Sequence, residues 1–379
     1  MNCNYNASGF FGQPDSRAIS NSMTQDLYHE IYTSEVFEAS QCIWHENNLM
    51  NFLHSMLIKL GYEPVKDGHK TWRRGDKTVV VCLVDDYIST TENYDVPVAY
   101  RFDRNTTVIT DNFVTSPTLY RVFQLPTSWF GIYNYEPKQT DYNPTRRFNF
   151  SVNRIDSKRL LLLLEIALRS EKYPDRDTLD FINFNCWSWE GDNATPEGLR
   201  DSFVRVYEAL EPQYREVYQE TFERLLENMP FRNHDMTMEQ AHLSAYVNMV
   251  AETYSSDTSI ALSEKTFRAL VTPAPWQLYA GQHAVSYLES LGFDTLRDVV
   301  NHNYDTIIEN KTAAYGDKLV EWIFSGADTF TRLSEMDRTE LRHRCLTAAR
   351  TNQAVLASMS RRWPTEFAAW LPAVIDHIR

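Results

Sequence analysis

The chain has 379 residues, 43% of them hydrophobic and 23% charged, with a formal net charge of −14. That length is too great for one ordinary core and predicts two domains. The acidic balance excludes a protein whose whole surface binds nucleic-acid phosphates, though not one with a local basic cleft, and the lack of an apolar run of about 18 residues predicts no membrane span.

In chain order, residues 1–22 are polar and rich in Asn, Ser and Gly, and read as a loose lead-in. The spacing of Ile43, Leu49, Phe52, Leu53, Met56, Leu57 and Leu60 predicts a helix over 41–61, with Gly61 as its stop. Lys77 to Asp86 is a β-branched apolar run ending in acids, the pattern of a buried parallel strand. Val96 to Tyr100 and Thr107 to Thr110 are further short strands, and Thr118 to Leu125 is an apolar element of either type. Residues 136–147, with two prolines, read as an interdomain linker.

A second unit of similar style follows. It has a strand at Phe148–Val152, a helix at Lys158–Ser170, a strand at Thr178–Phe184 and one or two amphipathic helices over 197–229. Further strands are expected at Ala245–Ala251, Ser259–Leu262 and Trp276–Tyr279, with helices at Glu264–Val271 and Ala284–Leu291. From Thr312 onward the pattern is helical. Strands alternating with helices in both halves predict two α/β units facing each other. The boundaries are 1–140 for an acceptor-side domain and 148–311 for a nucleotide-sugar-binding domain. Residues 312–379 form a helical segment packing back on the first domain.

The N-terminus lacks the basic and apolar regions of a signal peptide. The five cysteines, Cys3, Cys42, Cys82, Cys186 and Cys345, form no CxxC pair or zinc spacing, which suits a reduced cytoplasm, that of the host if the protein is viral. No phosphate-binding glycine motif occurs, and His45-Glu46 lacks the spacing of a zinc protease. Asp175-Arg176-Asp177 is a DxD, but it follows a loop rather than the strand that a metal site would need, so no metal is expected. Trp187 and Trp189 suit a loop or core role as well as stacking on a base or sugar.

Charge is uneven. Residues 141–172 hold seven Lys/Arg against four Asp/Glu, and 331–363 hold seven against three. Arg146, Arg147 and Lys158 in the first stretch are candidate phosphate contacts. Arg338, Arg342, Arg344, Arg350, Arg361 and Arg362 in the second suit either DNA phosphates or a solvated helix face.

The most informative stretch is Ser263-Glu264-Lys265-Thr266-Phe267-Arg268-Ala269-Leu270. An acid and a base sit side by side at the mouth of a helix, after the apolar Ile260-Ala261-Leu262. A carboxylate there can accept from the two hydroxyls of a ribose, while an ammonium and free helix N–H groups suit a pyrophosphate. Upstream, the strand before Glu252 ends in a second acid, so a crevice is expected at the carboxyl edge of a sheet. Thr266 stands in the same first turn.

This stretch resembles the donor-binding motif of α-1,3-fucosyltransferase-type enzymes. With VNMVAET, YLESLGFDTLRD and Tyr304-Asp305 it resembles a fuller pattern in a group of phage and bacterial proteins. Ser151-Val152-Asn153, with Arg159 six residues after the Asn, resembles the motif that opens the nucleotide-binding domain of that family. The resemblance covers about residues 148–305. It implies a GT-B fold of two facing Rossmann-like domains and a metal-independent hexosyl- or pentosyltransferase with no cofactor beyond its nucleoside-diphosphate sugar, a UDP-sugar first. It implies that Glu264 holds the ribose and that Lys265 and Arg159 hold the pyrophosphate, with Asn153, Arg154, Thr266 and Glu252 beside them and Arg154 and Lys158 as reserve cations. Trp276 departs from the small-residue turn usual in the family. Val108–Asn112 and Leu125–Tyr133 resemble the first half of the same phage proteins. Some of their relatives transfer glucose or arabinose to hydroxymethylated bases, which implies duplex DNA carrying 5-hydroxymethylcytosine as acceptor.

An inverting enzyme needs a base for the acceptor hydroxyl. Asp111, at the end of an expected strand, is the first candidate, then Asp85 and Asp86, although acids after strands also start turns. A retaining mechanism needs no such base, and both mechanisms stay open, as does the oligomeric state. Two other readings stand beside DNA glycosylation: transfer to a surface glycan, and a non-catalytic protein holding DNA or a partner on the same fold.

Overall fold

The computed structural model describes residues 46–65, 71–83, 104–114, 120–133, 135, 137, 140–150, 157–172, 196–228, 238–252, 259–308 and 317–379. The chain divides into two units, neither continuous in sequence. The first comprises Met1–Asn134, Thr253–Glu264 and Ala354–Arg379; the second comprises Tyr135–Glu252 and Lys265–Gln353.

In the first unit, α1 (Glu46–Lys59) buries the expected apolar face of Leu49, Phe52, Leu53, Met56 and Leu57. It ends where the sequence predicts. Gly61 takes a left-handed φ of 79°, its N–H reaching Ile58 O at 3.0 Å and that of Tyr62 reaching Leu57 O at 2.9 Å, the double bond of a Schellman stop. A mixed sheet of five strands follows, in the order β1-β2-β3-β4-β6. Its members are β1 (Glu63–Pro64), β2 (Thr71–Arg74), β3 (Lys77–Cys82), β4 (Thr106–Thr110) and β6 (Arg121–Gln124), while β5 (Phe113–Val114) lies outside it.

The parallel arrangement expected of a Rossmann-like domain extends only over β3, β4 and β6; β1, β2 and β3 are antiparallel. The β1–β2–β3 meander is absent from the sequence reading because Thr71-Trp72-Arg73-Arg74 looks too polar for a sheet. Only Thr71 and Trp72 turn inward there. β3 ends at Cys82, so the acids placed at its end, Asp85 and Asp86, lie outside the described residues, as does the strand expected at 96–100. Thr127–Ile132 is a 3-10 turn, not a strand.

The second unit opens earlier than the linker reading allowed. Tyr142 is buried, Asn143 and Thr145 donate to the Leu243 and Ser244 carbonyls, and Arg146 and Arg147 already belong to β7 (Arg146–Phe150). The prolines there mark an ordered approach to the strand and not a free tether. Three helices come next: α2 (Ser157–Lys172), α3 (Pro196–Glu208) and α4 (Pro212–Asn228). α2 buries Leu160 through Leu164 against the other two, where Tyr207 and Phe203 stack on Phe222 and the Tyr218 hydroxyl donates to Glu165 at 2.8 Å. The strand expected at 178–184, the DxD and the Trp187–Trp189 pair lie outside the described residues.

α5 (Met238–Leu243) leads into β8 (Ala245–Ala251). β9 (Ser259–Ile260) precedes α6 (Glu264–Val271), β10 (Trp276–Tyr279) and α7 (Ala284–Ser290), all close to the expected bounds. β9 belongs with the first unit, pairing antiparallel with β5. β10, β8 and β7 form a fully parallel three-stranded sheet with β8 in the middle.

Two helices make up the expected helical C-terminal region, α8 (Asp317–Glu335) and α9 (Arg338–Ile378). A stripe of α8 at four-residue spacing lies on the parallel sheet. Trp322 meets Phe150 and Tyr279, Phe330 meets Phe148, and Gly326 between them lets the helix come close to Gln277 and Met249. α9 runs 41 residues with Pro364 and Pro372 inside it, its first part belonging to the second unit and residues from Ala354 on to the first. There Tyr62 and Arg74 donate to the Ile378 carbonyl, and Phe52 meets Phe367. The fold is thus mixed α/β, with a five-stranded sheet and a helical C-terminal segment.

Candidate functional site

The three parallel strands of the second unit end on one side, and the residues following β8 carry the chemistry. Glu252 directly succeeds β8, its N–H bound to Tyr279 O at 2.9 Å, and is only 8% exposed. Its Oε1 accepts from the Thr266 hydroxyl at 2.5 Å, and its Oε2 lies 3.9 Å from Lys265 Nζ. Both partners come from the first turn of α6. That helix forms there because Ile260, Ala261 and Leu262 are buried ahead of it and Phe267, Ala269, Leu270 and Val271 give it an inner face. Glu264 begins the helix, where a carboxylate complements the positive helix end, and is half-buried. One ammonium, one hydroxyl and two carboxylates therefore gather where α6 leaves the carboxyl side of the sheet. Cation, hydroxyl and helix N–H groups suit an anion, and carboxylates suit a diol.

The other expected donor contacts are placed less fully. Asn153 and Arg154 lie outside the described residues, while Lys158 and Arg159 fall in the first turn of α2. That helix follows β7, the immediate neighbour of β8. The structure thus brings together Glu252, Lys265 and Thr266, with Glu264 on the same helix.

Asp111 follows β4, between β3 and β6 in the first unit's sheet, and is buried. The chain turns there: Thr110 Oγ1 accepts from the backbone and side chain of Asn112, each at 3.0 Å. Arg146 and Arg147 are exposed at the beginning of β7, with Arg147 over the Phe330 ring at 5.5 Å. Lys158 comes after the other end of that strand, so the three candidate phosphate contacts do not form one patch at the strand's start.

The Tyr304-Asp305 pair has structural work. Asp305 is buried and accepts from the N–H groups of Val285 and Ser286 and from the Ser286 hydroxyl, at 2.9, 3.0 and 2.8 Å. It caps α7 from twenty residues away. The Tyr304 hydroxyl accepts from Leu278 N at 2.9 Å, which ties the segment to β10. Asp305→Ala is expected to lower unfolding stability by about 2 kcal/mol, since three buried or half-buried donors lose their acceptor. Urea unfolding with an unshifted midpoint rules this role out.

Two histidines are held neutral. Burial pushes His242 down to about 3, with the Arg268 guanidinium adding to the effect. Burial likewise pushes His302 down to about 4. The partners of His302 fix its tautomer. Nε2 lies 2.9 Å from the Thr295 carbonyl, which can only accept, so it carries the proton, and Nδ1 accepts from the Tyr304 hydroxyl at 2.9 Å. Arg268 itself sits over the Tyr135 ring at 5.1 Å.

One cation escaped the sequence reading. Lys318, 1% exposed, lies one turn ahead of Trp322 on the stripe of α8 that covers the sheet. Its spacing from Trp322 and Gly326 was the available signal, masked by the neighbouring Asp317 and by a helix start that reads as solvated.

The second basic stretch is partly committed to the fold. Arg344 makes two forked pairs, to Asp294 at 2.8 and 2.9 Å and to Asp298 at 2.7 and 2.5 Å, which raise its own pKa and lower that of Asp298. Arg342 donates to the Tyr142 carbonyl and to Asn143. Arg338, Arg350, Arg361 and Arg362 are exposed, the last 3.7 Å from Glu366.

Among the described residues no cluster of three or more His, Cys, Asp or Glu is arranged to hold a metal, and no helix is long and apolar enough to cross a membrane. The chain matches no family model, no curated protein and no solved structure.

Proposed function

We propose that the protein is a glycosyltransferase that moves a sugar from a nucleoside-diphosphate sugar to a hydroxyl acceptor without a metal. The observation that carries this reading is the joining of Glu252, Lys265 and Thr266 at the carboxyl end of the middle parallel strand, on the first turn of the helix that begins with Glu264. Sugar transfer passes through an oxocarbenium-like state while a diphosphate departs. Stabilising that departing charge is the principal electrostatic task of a metal-free site. Lys265, the N–H groups opening α6 and Arg159 on α2 supply the positive end, and Glu264 takes the ribose hydroxyls. In an inverting reaction Asp111 takes the acceptor proton.

The fold that goes with this reading is GT-B, two Rossmann-like domains, and the second unit's three parallel strands with intervening helices support it better than the mixed sheet of the first. The acceptor put forward is a 5-hydroxymethylated pyrimidine in phage duplex DNA, on the strength of the motif resemblance and the exposed Arg146 and Arg147. A surface glycan is the second reading, favoured by the net charge of −14 and by the use of Arg344 and Arg342 inside the fold.

Calorimetry with UDP- and GDP-sugars, followed by transfer of labelled sugar to modified and unmodified duplexes, tests both parts. Lys265→Ala is expected to weaken donor binding about 10- to 100-fold, the size of a charge-assisted phosphate contact. Full donor affinity in that variant would remove the site assignment. Transfer to a glycan with none to any modified DNA would replace the acceptor.

A further inference from the structure

The chain leaves the second unit at Glu252 and returns at Lys265, and the excursion between them, Thr253–Glu264, belongs to the first unit, where β9 pairs with β5. The two residues at the neck of this excursion are the ion-paired ones. Glu252 Oε2 stands 3.9 Å from Lys265 Nζ, and its Oε1 takes the Thr266 hydroxyl at 2.5 Å. The pair is well removed from water, with side chains 3% and 14% exposed.

A carboxylate held against an ammonium, a threonine hydroxyl and the first turn of a helix occupies the position that chemistry would give to a phosphate. Two anions cannot share one ammonium at low exposure without mutual repulsion. The groups facing this carboxylate are Lys265 and Thr266 from α6, with Glu264 one residue before them.

We infer that Glu252 is a resident anion that holds Lys265 in reserve, closing the neck of the 253–264 excursion until a diphosphate takes its place. This rests on the donor site proposed above and gives Glu252 a different part in it. Glu252 does not touch the donor; it is a positioning residue that sets how much anion binding energy Lys265 releases. Binding of the diphosphate then exchanges one ion pair for another and frees the neck, so that nucleotide occupancy is coupled to the hold on the excursion. No covalent step is involved.

The test uses the full chain and inorganic pyrophosphate, which isolates the anion from base, ribose and sugar. Calorimetry is expected to show Glu252→Gln binding pyrophosphate about tenfold more tightly than the wild type, because the amide keeps the shape and removes the competing charge. Thr266→Val, which loosens Glu252 without removing it, is expected to give a smaller gain of about threefold and supplies the result if Glu252→Gln does not fold. Glu252→Gln combined with Lys265→Ala is expected to lose the gain. Equal or weaker pyrophosphate binding in Glu252→Gln, or no binding to either protein, overturns the inference.

The two readings fail separately. Tightened pyrophosphate binding with no affinity for any nucleotide sugar keeps the resident anion and removes the donor assignment. Donor binding lost in Lys265→Ala but unchanged in Glu252→Gln does the reverse.

Discussion

Replacing Gly131 by alanine is expected to destabilise the first unit by about 3 kcal/mol or more, at the upper end of what overpacking costs. Gly131 is buried in the 3-10 turn Thr127–Ile132 and packs directly on the backbone of α9. A Cβ there would stand 2.2 Å from Ser360 N, 2.6 Å from Ser360 Cα and 2.8 Å from Met359 C. None of these atoms is the tip of a flexible side chain, so relief requires the turn and the helix to separate. Separation would also open the contact between Trp129 and Trp363, whose ring centroids are 5.1 Å apart. Tryptophan fluorescence during urea unfolding reads the effect, as a lower midpoint with the slope kept. An alanine variant as stable as the wild type would mean that this turn does not lie against α9.

Acid is expected to destabilise the second unit well above the range in which carboxylates titrate. His242 and His302 have ordinary values of 6.5, lowered in the fold to about 3 and about 4 by burial. Below pH 6.5 the unfolded chain binds protons that the folded chain refuses, so the unfolded state binds more and stability falls as pH falls. The loss begins near pH 6.5 and levels only when the folded histidines themselves titrate. At pH 4 each accounts for about 3 kcal/mol, the loss growing by about 1.36 kcal/mol with each pH step below the ordinary histidine value. Glu289 and Asp298, lowered by Arg297 and Arg344, contribute in the same direction only near and below their ordinary values of 4.5 and 3.8. Urea midpoints at pH 7, 5.5 and 4 separate the two windows. His302→Gln is expected to flatten the upper one by about half, and a midpoint constant from pH 7 to 5 would exclude neutral buried histidines.

Much of the second unit's order was legible because its signals are local. The start of α6 at Glu264 follows from an apolar stretch meeting a Ser-Glu-Lys turn, and the stop of α1 from one glycine. What escaped the sequence depends on partners far along the chain. Nothing near Asp305 announces that it caps a helix beginning twenty residues earlier. Arg344 adds to a basic tally although Asp294 and Asp298, some fifty residues before it, absorb its charge. The candidate site divides the same way. Glu264 and Lys265 stand out as a pair, whereas the link from Glu252 to Thr266 exists only once β8 and α6 meet. The antiparallel β1–β2–β3 meander was hidden because Arg73 and Arg74 dilute the inward-facing Thr71 and Trp72.

The course of α9 has a consequence for how the protein comes into being. The first unit contains α1 near one end of the chain and residues Ala354–Arg379 at the other, with Tyr62 and Arg74 donating to the carbonyl of Ile378. As the chain emerges from a ribosome, the residues translated first must therefore wait for those translated last. Usually the domain made first folds first. Here α1 lacks part of its packing until more than 300 residues later, so the second unit is placed to fold ahead of it, and the exposed face of α1 is a natural client for a chaperone in the interval.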